Sequence, residues 1–320
     1  MDALPHEKDI MEHIRTIDHL KKKGGGNPIF SDEIARLEQR LEKLKLEVYT
    51  NLTPWQRVQI CRHAKRPHAI DYINKMFSDF EELSGDRLFA DDKALIGGFA
   101  RLGGMKCVVI GQEKGSNTGE RLSRNFGMMH PEGYKKALRL MKLAEKFRLP
   151  VVSLIDTPGA FPGLDAEKRG QGAAIATNLR EMMRLETPVI CVVIGEGCSG
   201  GALGIGIGDT IGMLEHAYYS VISPEGCASI LWKEAGRNVD AAAALKLNSE
   251  NLLDYEIIDE VIGEPLGGAH HDHATVFENV KRFIQDKYEV LKLLPPHLLL
   301  EQRYNKYRKI GQFSTHEASI

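Results

Sequence analysis

Near the start of the chain Ile34, Leu37, Leu41, Leu44 and Val48 recur at spacings of three and four, with charged residues between them. That spacing puts all five on one face and predicts an amphipathic helix that needs an apolar surface to pack against. Ser31 offers an N-cap oxygen, with Asp32 and Glu33 in the first turn. Upstream, Lys21-Lys22-Lys23-Gly24-Gly25-Gly26-Asn27-Pro28 reads as a flexible joint. Packing of this helix on its own domain is expected in preference to a separate coiled coil.

From about residue 69 the pattern becomes mixed. Ala69–Leu83 reads as a helix. Ala94–Ala100 and Cys107–Gln112 are short apolar runs around Gly103-Gly104, the signature of a hairpin. Gly133–Phe147 predicts a basic amphipathic helix with Leu138, Met141, Ala144 and Phe147 inward. Val151–Asp156 and Val189–Ile194 read as buried strands, with a helix over Glu167–Leu185 between them. Tyr218–Ser223 predicts a strand, residues 227–253 helix, and Ile257–Ile262 a last short strand. The tail, from about residue 275, is helical around Pro295-Pro296. Strand and helix alternate, so the default is an α/β core with parallel strands.

Composition removes several classes of function. Lys and Arg number 42 against 44 Asp and Glu, a net charge of −2, so no global field draws the chain to nucleic acid or an anionic membrane. The basic cluster Arg303, Lys306, Arg308 and Lys309 is then expected to be a solvated helix face. The longest uncharged stretch, Gly197–Gly208, falls well short of the about 20 apolar residues of a membrane span. The N-terminus lacks a basic and apolar leader pattern, which leads us to expect a cytoplasmic protein. Five cysteines without a Cys-x-x-Cys pair suit a reducing compartment and argue against a cysteine zinc site. Glycine is the anomaly: 31 residues, about a tenth of the chain against a usual value of about 7%, clustered between residues 97 and 212.

That cluster carries the candidate chemistry. Val189–Asp209 runs from a β-branched strand into Gly195-Glu196-Gly197-Cys198-Ser199-Gly200-Gly201-Ala202. Gly195-x-Gly197-x-x-Gly200 matches a dinucleotide fingerprint, but glycines at 204, 206 and 208 weaken the helix it requires. Gly197-x-Ser199-x-Gly201 matches a nucleophile elbow, with His216, His270, His271 and His273 as distant candidate bases. A third reading uses no side chain: backbone N–H groups at the start of a helix, bare of Cβ atoms at Gly200 and Gly201, form an oxyanion hole. Against it stands the plainer reading that these glycines only permit tight strand–helix packing. Asp156-Thr157-Pro158-Gly159 resembles a GTPase element, yet the chain has no phosphate loop and lacks even a Gly-Lys dipeptide. What remains is a stiff loop at a strand end, Thr157–Gly163, a usual place for site residues. His270-His271-x-His273 reads as a solvated loop, not a metal site.

Several longer motifs appear together in one order. They include Leu83-Ser84-Gly85-Asp86-Arg87, Arg124-Asn125-Phe126-Gly127-Met128, Ile155 through Gly163, Ser199-Gly200-Gly201-Ala202, Ser220 through Ala228, and Glu264 through His270. In these the chain resembles the alpha subunits of the bacterial and plastid multi-subunit acetyl-CoA carboxylase carboxyltransferases, from about Leu83 to Gly268. The resemblance implies a crotonase/ClpP-like α/β fold, a spiral of β-β-α units with N-terminal and C-terminal helical extensions. It divides the chain into a helical extension (1–50), a carboxyltransferase core (51–268) and a helical tail (269–320). It implies transfer of a carboxyl group from carboxybiotin, borne on a biotin carboxyl carrier protein, to acetyl-CoA, giving malonyl-CoA for fatty acid synthesis. The partners implied are a carboxyltransferase beta subunit in an α2β2 assembly and a separate biotin carboxylase that consumes ATP; no metal is expected on this chain. Loss of CO2 from carboxybiotin leaves charge on the ureido group, which can take a proton from the acetyl methyl, and the enolate then attacks CO2. Two oxyanions need two holes and no side-chain base. By the resemblance Gly200 and Gly201 form the hole facing biotin, Gly159, Ala160 and Phe161 wall it, and Ser199 is a helix N-cap. Cys198 departs from the smaller residue expected there, with a tighter loop or a sensitivity to oxidants as the consequence. Two other readings remain open: a stand-alone decarboxylase or hydrolase of the same fold, and a noncatalytic assembly subunit.

Overall fold

The computed structural model describes residues 3–24 and 28–311. Two helices open the chain, α1 (Lys8–Gly24) and α2 (Pro28–Thr50). They pack on each other through Ile10, Ile17 and Leu41, and the apolar cluster continues through Tyr49 and Leu52 to Ile60. This is the partner surface that the α2 pattern demands. The helix starts at Pro28, so Ser31 lies inside it and is not the cap. Of the expected joint, Lys21–Gly24 completes α1, and residues 25–27 lie outside the described residues. Glu7, in the turn before α1, is buried, and its carboxylate accepts from the Leu4 N–H (2.9 Å) and the Tyr49 hydroxyl (2.9 Å).

Two short helices follow, α3 (Pro54–Cys61) and α4 (Ala69–Met76), and then the sheet begins with β1 (Ser78–Glu82). The helix expected over Ala69–Leu83 therefore stops early. The Phe77 N–H closes it on Ile73, and Ser78–Glu82 pairs with the next strand as a mostly exposed sheet edge. Tertiary pairing overrides the local pattern there. The expected hairpin forms as β2 (Leu95–Leu102) and β3 (Met105–Gln112), in register about Gly103-Gly104. After α5 (Thr118–Ser123) comes α6 (Pro131–Phe147), which buries Ala137, Leu140, Met141 and Ala144 but leaves Phe147 exposed.

β4 (Val151–Thr157) and β5 (Val189–Cys198) are buried at every position, which is why they read as unbroken apolar runs. Between them the single expected helix splits into α7 (Leu164–Lys168) and α8 (Gln171–Met182) at Gly170, whose φ of +82° only glycine adopts without strain. After β5 come α9 (Ser199–Leu203), β6 (Thr210–Leu214) and β7 (Tyr218–Ser220). The sequence reading had no counterpart for β6. Residues 227–253 break into α10 (Pro224–Trp232), α11 (Asn238–Leu245) and α12 (Ser249–Asp254), because Lys233 and Lys246 turn left-handed. Strand β8 (Glu260–Ile262) and helices α13 (His273–Leu291) and α14 (Pro296–Lys309) complete the described chain.

One sheet results, ordered β1-β2-β3-β4-β5-β6-β8, antiparallel through β3 and parallel from there on. β5 divides its edge: Ile190–Val193 pairs with β6, whereas Glu196–Cys198 pairs with β7. The sheet thus opens where α9 starts. α14 is not a solvated basic face throughout. Arg303 is buried, bonds both oxygens of Asp209 and donates to the carbonyls of Met182, Leu185 and Thr187, and Lys306 pairs with Asp259. Arg308 and Lys309 remain exposed. Among the described residues no helix is long and apolar enough to cross a membrane.

Candidate functional site

β4 and β5 lie side by side, and their C-terminal ends deliver two loops to one place. A Cβ on Gly201 would stand 2.4 Å from the Gly159 carbonyl carbon and 2.5 Å from the Ala160 nitrogen. Backbone meets backbone at this point, so residue 201 has to be glycine. Gly200 differs: a Cβ there would meet only Ile175, at 3.6 Å, an ordinary contact. Its bare surface forms part of a groove of about 530 Å³, also lined by Ser199, Leu203, Tyr219, Leu245 and Tyr307. Lys246 is the single charged residue among the described residues lining it.

Buried polar side chains fix this junction. Gln112 donates to the Gly201 carbonyl (2.8 Å) and accepts from the Asp156 N–H (3.2 Å), tying the first turn of α9 to the end of β4. The Thr157 hydroxyl accepts from the Gly159 N–H (3.1 Å) and donates to the Gly159 carbonyl (2.7 Å). Asn178 donates to the carbonyls of Tyr134 and Gly204, each at 2.9 Å. Helix α9 is held by its carbonyl groups. Its first-turn N–H groups, those of Gly200 and Gly201 included, have no acceptor within the helix and carry the positive end of its dipole. Such donors can stabilise a developing negative charge.

Ser199 is exposed, with φ at +56°, and is the first helical residue; Cys198 occupies the cap position, and no side chain caps the helix. The N-cap role is therefore withdrawn. No histidine lines the groove among the described residues, so a serine nucleophile has no base at hand. With five residues, α9 is also too short for a dinucleotide site. Gly159 and Ala160 meet Gly201 as described, but the Phe161 ring turns away and stacks on His130, with centroids 4.1 Å apart. Cys198 is buried, and burial pushes its thiol up to about 11, which favours the protonated form.

From the end of β4 an ionic cluster that sequence reasoning missed runs along a second cavity of about 370 Å³, with Asp156 and Glu196 buried and Arg62 exposed. Lys114 bridges Asp156 (2.7 Å) and Glu196 (2.6 Å); Arg62 binds Glu196 (2.8 Å) and Glu225 (2.6 Å). The Tyr218 hydroxyl donates to Glu196, and the Glu196 N–H donates to Asp156 Oδ1 (2.9 Å). Burial by itself would raise the Glu196 carboxyl, but Lys114 and Arg62 outweigh it and hold the pKa at about 2. Asp156 is likewise depressed, burial being outweighed by Lys114 and His68. The cluster explains Gly195, whose Cβ would fall 2.3 Å from Asp156 Oδ1. One signal was present in the sequence: Glu196 interrupts an otherwise apolar strand, and a buried charge requires a partner. The partner, Lys114, follows β3, and nothing local to Glu196 points to it.

Comparison with known proteins places this architecture. The model of the acetyl co-enzyme A carboxylase carboxyltransferase-like family matches residues 3–311. The acetyl-coenzyme A carboxylase carboxyl transferase subunit alpha of Protochlamydia amoebophila (strain UWE25) is 64% identical over 313 residues, 98% of this chain and 99% of that protein. The chain belongs to the acetyl-coenzyme A carboxylase carboxyltransferase alpha-subunit family. The Chlamydia pneumoniae member is 59% identical over 316 residues, covering 98% of each chain. Among solved structures, the transcarboxylase 12S hexamer with methylmalonyl-coenzyme A bound aligns with a TM-score of 0.57 at 18% identity, over 79% of this chain and 44% of that one. That likeness concerns the fold, which is the crotonase-type α/β fold of carboxyltransferases. Members of this alpha-subunit family are one component of a multi-subunit enzyme.

Proposed function

We propose that this chain is the alpha-type half of a carboxyltransferase that moves the carboxyl group of carboxybiotin onto acetyl-CoA, giving malonyl-CoA for fatty acid synthesis. The observation that carries the site is the backbone contact of Gly201 with Gly159 and Ala160, next to Gly200, which lines an apolar groove. The groove is lined almost wholly by apolar residues, which suits a small, mostly apolar bicyclic ring system with one polar ureido edge, and biotin is of that kind. Gly200, Leu203 and Tyr219 are the residues to hold it. Carboxybiotin supplies the activated carboxyl group. The Gly200 and Gly201 N–H groups receive the oxyanion that develops, Gly159 and Ala160 back them, and Gln112 keeps them aligned from behind. Phe161 supports this wall only through the course of its loop, since its ring packs on His130.

The second hole belongs to a beta subunit in an α2β2 assembly. Leu203, Val221, Tyr255 and Ile310 line the groove yet are exposed, Val221 at 74%, which fits a rim covered by another protein. The carrier protein delivers the biotin, and a separate biotin carboxylase uses the ATP; a cytoplasmic setting suits both. The helices described on either side, α1 and α2 at one end and α13 and α14 at the other, act as extensions of a 51–268 core. The test is carboxyl transfer in reverse, from malonyl-CoA to a soluble biotin derivative, with the chain alone and with a beta-type subunit. Activity in the mixture only is the expected result; activity in the chain alone overturns the shared site.

A further inference from the structure

The loop after β8 brings side chains from opposite ends of the sequence together. Glu7 Oε1 lies 3.9 Å from His271 Nε2. One carboxylate oxygen of Glu7 and one ring nitrogen each of His270 and His271 lie within 4.8 Å of one another. Two glycines make this approach possible. Gly267 (φ +91°) and Gly268 (φ +112°) adopt backbone conformations that side chains disfavour. A Cβ on Gly267 would stand 2.7 Å from the His271 ring, and one on Gly268 would stand 3.2 Å from His270 Nδ1.

The surroundings are those of a ligand set. His270 Nδ1 is buried and has no hydrogen-bond partner. The His270 ring is held in plane by stacking on His63, with centroids 3.8 Å apart. Tyr49 donates to Glu7 Oε1 at 2.9 Å, an outer contact of the sort that orients a ligating carboxylate. Two imidazoles and one carboxylate form a nitrogen–oxygen donor set suited to zinc and neighbouring divalent ions. Hydrogen bonding alone leaves the buried Nδ1 unexplained.

We propose that Glu7, His270 and His271 form a three-ligand site for a divalent transition-metal ion of the zinc class, with a further position open to water. The ion ties the turn before α1 to the loop after β8, and so fastens the N-terminal helix pair to the core. This replaces the expectation of a solvated histidine loop, and it stands apart from the carboxyltransferase reading.

The test uses the full chain, stripped with a chelator, and zinc titrated against a chromophoric competitor near neutral pH. One zinc per chain is expected, with affinity at least about tenfold weaker in Glu7→Gln and in His271→Asn. His297→Asn, on an exposed part of α14, should bind as the parent does. X-ray absorption should show nitrogen and oxygen ligands without sulfur, which separates this site from the five cysteines. No zinc retained against the competitor, equal affinity in every variant, or sulfur ligation overturns the proposal. If Glu7→Gln disturbs the N-terminal turn by losing the Tyr49 contact, His271→Asn decides alone, because that ring is exposed.

Discussion

Adding one methyl group at Gly201 should separate the proposed hole from mere packing. In Gly201→Ala the new Cβ starts 2.4 Å from the Gly159 carbonyl carbon and 2.5 Å from the Ala160 nitrogen, whereas ordinary contact begins at 3.4 Å. Both obstacles are backbone, so the β4 loop and α9 must part by about 1 Å to reach that distance. Overpacking of this kind costs about 1–3 kcal/mol in stability. The larger effect is on catalysis, because a misplacement of about 1 Å in a reacting geometry can cost about 10²-fold and one lost hole donor about 10²–10³-fold in kcat. Gly200→Ala is the companion variant, since its Cβ meets Ile175 at 3.6 Å without a clash and alters the groove surface with no strain on the backbone. The assay is reverse carboxyl transfer with the beta-type subunit present, alongside circular dichroism, urea denaturation and size-exclusion chromatography of the complex. Gly201→Ala should lose activity by about 10²-fold or more while the complex stays assembled. Gly200→Ala should keep parental stability and lose activity. Retention of activity within about threefold in Gly201→Ala, far below the worth of a hole donor, would refute the oxyanion assignment and leave these glycines a packing role.

Three further outcomes follow from the same geometry. Lys114→Met leaves Asp156 and Glu196 buried with a charge partner removed, so urea denaturation should show a loss of about 3–5 kcal/mol; a change below about 1 kcal/mol would mean Arg62 and His68 suffice. Glu196 and Glu264 each have a folded pKa of about 2 against 4.5 when free, Arg66 outweighing burial at Glu264 as Lys114 and Arg62 do at Glu196. Folded values below the free ones mean that their stabilisation is whole above the free pKa and drains as pH falls from about 4.5 toward 2. The urea midpoint, measured from roughly pH 6 down to pH 3, should therefore decline with acid, and a flat profile would contradict the ion pairing. Ser199→Ala should keep transfer within about threefold of the parent, and Ser199→Gly should raise stability by about 1 kcal/mol by relieving the left-handed backbone. A collapse of activity in Ser199→Ala would return that hydroxyl to the mechanism.

By itself the sequence determined what depends on neighbours along the chain. The apolar runs of β4 and β5, the hairpin about Gly103-Gly104 and the helical stripe of α2 are periodicities, and each appears where the pattern put it, within a few residues at the ends. The motif order pointed to the family that the comparisons then showed, and the glycine run marked the junction at Gly201. Tertiary structure decided the rest, because those features join residues distant in sequence. Ser78–Glu82 became a strand only because β2 offered it an edge. Arg303, read as part of a solvated face, is buried because Asp209 and three carbonyl groups, from the end of α8 and the connection to β5, surround it. Gly201 is fixed as glycine by the Gly159 backbone, and Glu196 is tolerated in a buried strand because Lys114 and Arg62 arrive from other elements. Glu7 reaches His270 and His271 only through the fold. Periodicity encodes which face of an element is apolar; which charge, carbonyl or ring will meet that face is set when the elements pack.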